Sequence, residues 1–519
     1  MPATHSSPAD LTRARRDRDR DALASGEVVD VLVVGGGITG AGVALDAATR
    51  GLSTALIEAE DLAFGTSRWS SKLIHGGLRY LAHGDVAVAW ESAVERSHLM
   101  GTIAPHLIRP LPHVMPAFDD TALRDRALVR AGLRAADLLR VAARTPRGAL
   151  ARPRHVGAEQ VLTLVPAIDA SRLRGGTVHW DGQGVDDARL VTSIARSAAG
   201  YGTRVLTRTR ALAVSGDGAR VRDSSTGADY DIRARHVIVA TGVWTGSLDP
   251  ATRILPSRGS HAVLDPAALG FPRAALTVPV PHERGRFVFA LPTTDGPVIA
   301  GITDEPEPPP MPDVPRAPDA DIAWILEQLS SALSRPLTHA DVIGTYAGLR
   351  PLVAPADGED ADDTADISRR HLVQRSPEGA VVVTGGKLTT YRRMAQDAVD
   401  ALDLGVRSIT ASTPLVGAQP YRSPVPHGVP ARLVRHYGAE APRVAAWATE
   451  DPTLLAPVAP GVGVLGVEIV HAICAEGALS IDDIVERRTR LSVTPDALAR
   501  ARERVIEIAL SVDSVVEGA

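Results

Sequence analysis

The segment from Asp30 to Glu58 constrains the fold of this chain more than any other, because it sets the order of several structural elements. Val31 to Val34 form an apolar run that predicts a buried parallel strand, and the glycines that follow predict a tight turn opening a helix. Ser53 to Ile57 predict a second strand, which ends at Glu58. This order of strand, turn, helix, strand and acid is typical of a nucleotide-binding α/β unit.

Each glycine of the turn has its own physical reason. Gly35 permits the turn, Gly37 lets backbone N–H groups approach a phosphate, and Gly40 lets the helix pack closely on the strand. The first helical residues, Ile38 and Thr39, then offer unpaired donors and the positive end of the helix dipole to an anion. Glu58 is placed to accept hydrogen bonds from ribose hydroxyls. The sequence therefore predicts that a dinucleotide pyrophosphate binds here.

Length and composition limit the classes of protein that remain. A chain of 519 residues exceeds one hydrophobic core, so we expect two or three domains. The net charge of −5 gives no general attraction to nucleic acid. The single cysteine, Cys474, excludes an intrachain disulfide, and no zinc or calcium spacing predicts a metal site. Because no stretch is typical of a signal peptide or membrane span, we expect a cytoplasmic protein.

Helical patterns lie mainly in three parts of the chain. Arg13 to Asp21 mixes charges of both signs, which favours a solvated helix or a disordered arm. Residues 87–100 and 123–143 are amphipathic and indicate a helical insertion. From about Arg422 onward the periodicity is again helical, including residues 498–510, which predicts a separate helical domain at the C-terminus.

Strand patterns occupy the segments between. Residues 203–213 alternate and predict a strand, and residues 236–244 predict a buried strand that ends in a turn containing Thr241 and Gly242. An antiparallel sheet is predicted from three further runs, at 259–264, 286–291 and 298–302. Residues 381–401 repeat the opening arrangement of strand, glycine turn and helix.

Five fragments together identify a resemblance to a known family. They are WSSKLIHGGLRYL (69–81), GVDDARLV (184–191), RGSHAVL (258–264), YAGLRPL (346–352) and GGKLTTYRRMA (385–395). In this order and spacing the chain resembles the FAD-dependent glycerol-3-phosphate dehydrogenases of the aerobic, respiratory type, within the D-amino-acid-oxidase-like flavoproteins. The resemblance runs from about residue 28 to residue 491.

The resemblance implies an α/β fold in which a Rossmann-like FAD-binding domain is interleaved with an antiparallel-sheet substrate domain and followed by a helical C-terminal domain. We expect an N-terminal arm over residues 1–27, with the FAD-binding domain formed from three parts. The expected segments are FAD-binding domain 28–105, 183–250 and 341–405; helical insertion and substrate domain 106–182; substrate domain 251–340; and C-terminal helical domain 406–519.

The implied activity is oxidation of sn-glycerol 3-phosphate to dihydroxyacetone phosphate, with non-covalent FAD and a quinone as electron acceptor. A homodimer with peripheral contact on the inner face of the cell membrane is expected. Three alternatives remain open at this stage: a glycerol-3-phosphate oxidase that uses oxygen, an amino-acid-oxidising relative, and a flavin-binding RNA-modification or assembly protein. The last would favour an exposed basic face with aromatics, whereas aromatic residues make up only 3% of this chain.

The expected chemistry assigns roles to cationic and titratable residues. Arg350 and Arg369 are predicted to bind the substrate phosphate, since guanidinium groups form charge-assisted, often bidentate hydrogen bonds. The alternative is salt bridges with the acidic loop between them, ADGEDADDTAD at 356–366. Lys387 is predicted to orient the substrate and to stabilise negative charge on the reduced flavin, and otherwise caps a loop. His261 is the predicted general base, because an imidazole titrates near neutral pH; the alternative is a core histidine.

The remaining predicted contacts are polar or glycine-rich. Arg79 and Tyr80 are expected on the substrate side, or packed against the helical insertion. The residues predicted to wrap the cofactor, besides those of the first turn, are Ser70, Ser71, Lys72, His75, Gly76, Gly77, Thr241, Gly242, Gly385, Gly386, Lys387, Leu388 and Thr389.

Overall fold

A computed structural model describes most of the chain: residues 6–77, 85–121, 123–146, 148–281, 283, 285–308, 310–354, 370–420 and 422–513. Its described strands are β1 (Val28–Val34), β2 (Thr54–Ile57), β3 (Leu73–Ile74), β4 (Ile108–Phe118), β5 (Arg154–Val156), β6 (Leu173–Gly184), β7 (Arg204–Leu206), β8 (Thr209–Ser215), β9 (Gly218–Asp223), β10 (Asp229–Val239), β11 (Ile254–Leu264), β12 (Ala275–Pro279), β13 (Phe287–Pro292), β14 (Val298–Gly301), β15 (Glu305–Pro306), β16 (Val342–Val353), β17 (His371–Arg375) and β18 (Val381–Gly385).

The described α-helices are α1 (Arg13–Ala24), α2 (Ile38–Thr49), α3 (Val86–His98), α4 (Leu123–Ala142), α5 (Ala158–Leu164), α6 (Asp187–Gly200), α7 (Thr245–Leu248), α8 (Asp319–Ser330), α9 (Tyr391–Asp400), α10 (Ala431–Tyr437), α11 (Ala441–Ala445), α12 (Gly466–Cys474) and α13 (Pro495–Val512). Within the described ranges, none of these helices has the length and apolar character needed to cross a bilayer.

The first sheet is built around β1. Its main path runs β17-β18-β10-β1-β2-β7, in which β1 pairs in parallel with both β10 and β2. Helices α2, α6 and α9 pack on one face of this sheet, whereas α1 and the strands β8 and β9 cover the other. Because both faces are buried, its central strands are continuous apolar runs, which is why the sequence indicated them.

The second sheet is mostly antiparallel and curls over the first. Its path runs β15-β11-β14-β13-β12-β4-β6-β3, with β16 on β11 and β5 on β6. One face packs on α5 and α8. On the concave face, Leu111 of β4, Val263 of β11 and Tyr346 of β16 belong to one apolar cluster that runs across the sheet. The Tyr346 hydroxyl donates to the carbonyl oxygen of Ser70, just before β3, so the two ends of the sheet approach each other. The predicted α/β class with interleaved domains is confirmed.

Two predicted segments differ in detail. The strand predicted over 203–213 is two strands, β7 and β8, because Arg208 between them takes the left-handed conformation, with φ of 57°. The segment predicted as a solvated or disordered arm is helix α1, and it is not solvated on every side. Thr12 caps it, and its Arg16 is buried against Asp223 with an N–O distance of 2.8 Å.

A network of buried ion pairs joins the C-terminal domain to the first sheet and its helices. The Glu476 carboxylate lies 2.7 Å from Arg189 of α6, and Glu440 lies 2.6 Å from Arg196. Arg488 reaches back to Asp61, just after β2, at 2.8 Å. Since isolated charges are very unfavourable in a protein interior, each side of this interface depends on the other.

Candidate functional site

A cavity of about 520 Å³ lies between the two sheets and contains most of the predicted site. Its walls include the turn after β1 at one end and the concave face of the second sheet at the other. The residues of the predicted set that line it are Gly35, Gly37, Ile38, Thr39, Glu58, Ser70, Ser71, His75, Thr241, Gly242, Arg350, Gly385, Gly386, Lys387, Leu388 and Thr389.

The glycine turn has the geometry of a dinucleotide site. Gly35 has φ of 113°, and a Cβ at Gly40 would lie 1.8 Å from the carbonyl oxygen of Gly35. Gly40 therefore serves close helix packing and does not itself line the cavity. Helix α2 begins directly after Gly37, so its N-terminal N–H groups face the cavity where a pyrophosphate would bind.

The acid that ends β2 is held by backbone donors. Oε2 of Glu58 accepts from the N–H of Gly36 at 2.6 Å, and Oε1 accepts from the N–H of Glu60 at 2.9 Å. Burial raises the pKa of the Glu58 carboxyl, and these two hydrogen bonds oppose that rise. The carboxylate is thus fixed at the wall of the cavity, in the place where ribose hydroxyls are expected.

The segment after Glu58 is divided between cavity contacts and packing. The Oγ of Ser67, which the sequence did not indicate, accepts from the N–H of Ile38 at 2.9 Å and so holds the start of α2. Lys72 was predicted to bind the cofactor, but its side chain does not line the cavity. Its Nζ lies 3.2 Å from the buried carboxylate of Asp187, because a buried ammonium requires an opposite charge.

The glycines at 76 and 77 also take positions other than those predicted. The N–H of Gly76 donates to Asp181 at 3.1 Å, and a Cβ on Gly77 would lie 2.8 Å from the Cα of Ala89 in α3. These two glycines therefore serve packing against neighbouring residues and do not line the cavity. Arg79 and Tyr80, like Arg369, fall outside the described residues.

Arg350 extends from β16 into the cavity and is held by three acceptors. Its guanidinium donates to Ser257 Oγ at 3.1 Å, to Asp304 Oδ1 at 3.0 Å and to the carbonyl oxygen of Thr303 at 2.8 Å. These bonds fix the plane of the group at the cavity wall. The predicted alternative, a pairing with the acidic loop at 356–366, involves residues outside those that the structure describes.

Lys387 lies at the same cavity, beyond the glycine pair that ends β18. Gly385 and Gly386 both have positive φ, of 79° and 71°, which turns the chain sharply into the helical residues that follow. The Nζ of Lys387 is 3.2 Å from Ser92 Oγ, so the ammonium is positioned by α3.

His261 does not line the cavity directly. Its ring is fully buried and stacks on Tyr346 with centroids 4.6 Å apart, and its Nε2 is 2.8 Å from Ser71 Oγ, which does line the cavity. Burial, together with the nearby charges of Arg350 and Lys72, lowers the pKa of His261 to about 3. The imidazole is therefore neutral near pH 7, and the near-neutral titration expected from the sequence does not apply to this buried ring. Among the described residues, its hydrogen-bonding link to the cavity is the Ser71 hydroxyl.

Two further histidines line the cavity that the sequence interpretation did not single out. His113 of β4 and His179 of β6 are register partners on the concave face, beside Asp181 and Thr277. A helical insertion predicted over this region does not place them, because one histidine in each run gives no local sign that the two strands pair.

The Rossmann-like sheet, the glycine turn and the acid at the end of β2 define a flavoprotein oxidoreductase. A family model described as FAD dependent oxidoreductase matches residues 30–392, and one described as C-terminal domain of alpha-glycerophosphate oxidase matches residues 408–512. The chain therefore belongs to the FAD-dependent oxidoreductases, and within them to the FAD-dependent glycerol-3-phosphate dehydrogenases. FAD is its cofactor, and the glycine turn, Glu58 and the cavity beside them would accommodate it.

Relatives place the chain within that family. It is 48% identical over 510 residues to glycerol-3-phosphate dehydrogenase 1 of Mycobacterium tuberculosis, covering 96% of this chain and 98% of the relative. The glycerol-3-phosphate dehydrogenase 2 of the same organism is 39% identical over 498 residues, covering 90% of this chain and 82% of the relative.

A solved structure shares the whole architecture. The glycerol-3-phosphate dehydrogenase from Bacillus halodurans complexed with FAD superposes with a TM-score of 0.74 at 26% identity, covering 97% of this chain and 94% of that one. A glycerophosphate oxidase from Mycoplasma pneumoniae, at 17% identity and a TM-score of 0.56, shares the fold of 75% of this chain.

Proposed function

We propose that this enzyme oxidises sn-glycerol 3-phosphate to dihydroxyacetone phosphate and passes the electrons to a quinone. The observation that carries the proposal is one continuous cavity with the dinucleotide turn at one end and a fixed guanidinium, Arg350, on the opposite sheet. The names of its relatives supply the substrate. FAD, held without a covalent link by the glycine turn and Glu58, would supply the hydride acceptor for oxidation of the carbinol carbon.

Arg350 and Lys387 provide the positive charge that a phosphorylated substrate requires. Arg350 is already oriented by Ser257 and Asp304, so little side-chain entropy is lost when its guanidinium meets a phosphate oxygen. Lys387, on the other wall of the cavity, orients the substrate. We include Arg369, Arg79 and Tyr80 in the substrate site as predictions from the sequence alone.

The hydroxyl proton of the substrate requires a base within reach. Ser71 Oγ faces the cavity, and His261 Nε2 lies 2.8 Å behind it. We therefore place His261 one step away from the substrate: the substrate hydroxyl gives its proton to the Ser71 oxygen as the Ser71 proton moves to Nε2. A Ser71→Ala variant is then expected to slow flavin reduction as His261→Ala does, with FAD content unchanged. An unaffected reduction rate in Ser71→Ala would remove the serine from this path.

The acceptor is proposed to be a quinone in the cell membrane, reached by peripheral contact from the cytoplasmic side, with the enzyme acting as a homodimer. Support for the contact comes from helices α3 and α4, which pack side by side. Leu138 and Val141 of α4 are 70% and 54% exposed, and Arg134 and Arg144 are exposed near them. Exposed apolar side chains beside arginines suit an anionic lipid surface.

The substrate test is anaerobic. Glycerol 3-phosphate is expected to bleach the visible flavin band of the purified protein, whereas glycerol at the same concentration is not. Absence of bleaching by glycerol 3-phosphate would refute the proposed oxidation. The acceptor test compares reduction of a soluble quinone analogue with peroxide release in air; fast peroxide release with no quinone reduction would assign the enzyme as an oxidase.

The membrane test uses vesicles containing anionic phospholipid in a flotation assay. A Leu138→Asp, Val141→Asp double variant is expected to remain in the soluble fraction while the parent floats. Phe271→Asp is the matched control, because Phe271 is also 68% exposed but lies in the loop before β12. Equal flotation of parent and double variant would show that this helix is not the contact surface.

A further inference from the structure

A pair of histidines forms one wall of the cavity in the second sheet. His113 and His179 face each other across β4 and β6, and their rings stack with centroids 5.0 Å apart and an interplanar angle of 28°. Thr277 and Phe289 lie beside them, with the Phe289 ring edge-on to His113. All four line the cavity.

These rings have hydrogen-bonding capacity that the described residues do not use. Nε2 of His113 and Nδ1 of His179 are shielded from solvent and have no partner among the described residues. The other ring nitrogen of His113, Nδ1, lies 3.5 Å from Thr277 Oγ1, at the limit of hydrogen-bonding distance. His113 is only 3% exposed. Because buried polar atoms in folded proteins are nearly always satisfied, two such nitrogens facing a cavity point to a bound ligand.

Burial keeps both rings neutral. Burial and the neighbouring His179 together lower the pKa of His113 to about 3, and burial likewise lowers the pKa of His179 to about 4. The nearest carboxylate, Asp181, is engaged by Arg96 at 2.6 Å and by the N–H of Gly76. A neutral imidazole both donates and accepts, as does a hydroxyl group, whereas a phosphate dianion requires cations.

We infer that the His113–His179 pair binds the terminal hydroxyl of the substrate, the one on the carbon farthest from the phosphate. The inference rests on the proposed function. The His113–His179 pair lines the cavity from β4 and β6, and Arg350 lines the same cavity from β16, so a neutral polar wall and a cationic one belong to one site. A polyol phosphate then binds in one direction only, with its phosphate at the guanidinium and its hydroxyl end at the imidazoles. The pair therefore sets specificity for a hydroxylated substrate.

The experiment compares two substrates that differ by that hydroxyl. The kcat/KM ratio of glycerol 3-phosphate to propane-1,2-diol 1-phosphate is measured for the parent, His113→Phe and His179→Phe. Each variant is expected to lower the ratio about tenfold, the value of one well-made hydrogen bond. The change should come from glycerol 3-phosphate, with the deoxy compound nearly unaffected. His155→Phe is the control, because His155 lies on the adjoining β5, is exposed and does not line the cavity.

A binding measurement supplies a readout apart from turnover. The dissociation constants of dihydroxyacetone phosphate and of hydroxyacetone phosphate, which lacks the terminal hydroxyl, are obtained from the change in the visible flavin spectrum. The parent is expected to bind the first compound about tenfold more tightly or better, and each phenylalanine variant should reduce that preference. If a phenylalanine variant fails to retain FAD, the asparagine variant at the same position, polar but too short to reach, takes its place.

The outcomes separate the two proposals. A parent whose flavin is not reduced by glycerol 3-phosphate refutes the proposed function and this inference with it. A parent that reacts, with variants that keep FAD and keep the parental ratio for both pairs of compounds, overturns the inference alone. A loss of affinity that is equal for hydroxylated and deoxy compounds also overturns it, since a merely structural role would produce that result.

Discussion

Gly40→Ala should separate FAD binding from folding, because the added methyl group meets backbone and not a flexible side chain. A Cβ at this position would lie 1.8 Å from the Gly35 carbonyl oxygen, whereas real Cβ contacts stay above 3.0 Å. Helix α2 must therefore move away from β1 by at least about 1.2 Å, the difference between those two distances. Overpacking of this kind typically costs about 1–3 kcal/mol of stability.

The effect on the cofactor is expected to be larger than the effect on folding. The N–H groups that face the pyrophosphate move with the helix, and misplacement by about 1 Å can reduce a positioned interaction by roughly 100-fold. We expect the dissociation constant for FAD to rise about 100-fold, measured by fluorescence titration of the apoprotein. Gly157→Ala is the control, because a Cβ there meets nothing within 4 Å. FAD affinity within about twofold of the parent in Gly40→Ala would refute this account of the turn.

Three other predictions concern charge. Arg350→Ala should raise the KM for glycerol 3-phosphate far more than that for glycerol; equal increases in steady-state assays would contradict the phosphate role. The pKa of Glu476 is lowered to about 2 by Arg189 and other neighbours, so its stabilising contribution is complete above about pH 4.5 and is lost as the pH falls toward 2. Thermal unfolding of the parent, followed from pH 7 to pH 3, should show that loss of stability. Glu476→Gln should lower the unfolding temperature at pH 7 and flatten its pH dependence. An unfolding temperature unchanged in the variant would show that the Glu476–Arg189 pair is dispensable. Burial raises the pKa of the Cys474 thiol to about 11, so alkylation at pH 8 should be roughly 100-fold slower than for a free cysteine, and rapid alkylation of the folded protein would contradict that burial.

The parts of the fold predicted from sequence are those whose pattern is local. β1, α2 and β2 follow one another within thirty residues, and the close approach of Gly40 to Gly35 lies inside that unit. The same holds for β18 and the helix after it. In both cases the burial of a strand on two faces leaves a continuous apolar run that sequence inspection detects.

The parts that were missed depend on partners distant in the chain. Lys72 was assigned to the cofactor because its neighbours are polar, but Asp187, more than a hundred residues later, determines where its ammonium lies. His113 and His179 belong to strands 66 positions apart, and only the pairing of β4 with β6 brings them together. His261 was found, but its separation from the cavity by Ser71 could not be read from the local sequence.

The ion pairs between the C-terminal domain and the first sheet make the two halves of the chain interdependent in practice. A chain cut before residue 408 would retain Arg189 and Arg196 but lose Glu476 and Glu440, so Arg189 would lose this buried carboxylate and Arg196 would keep its longer contact with Asp10, at 3.3 Å. Such a fragment is expected to aggregate and not to persist as a free flavoprotein. Chimaeras that exchange C-terminal halves between homologues therefore have to exchange both members of each pair.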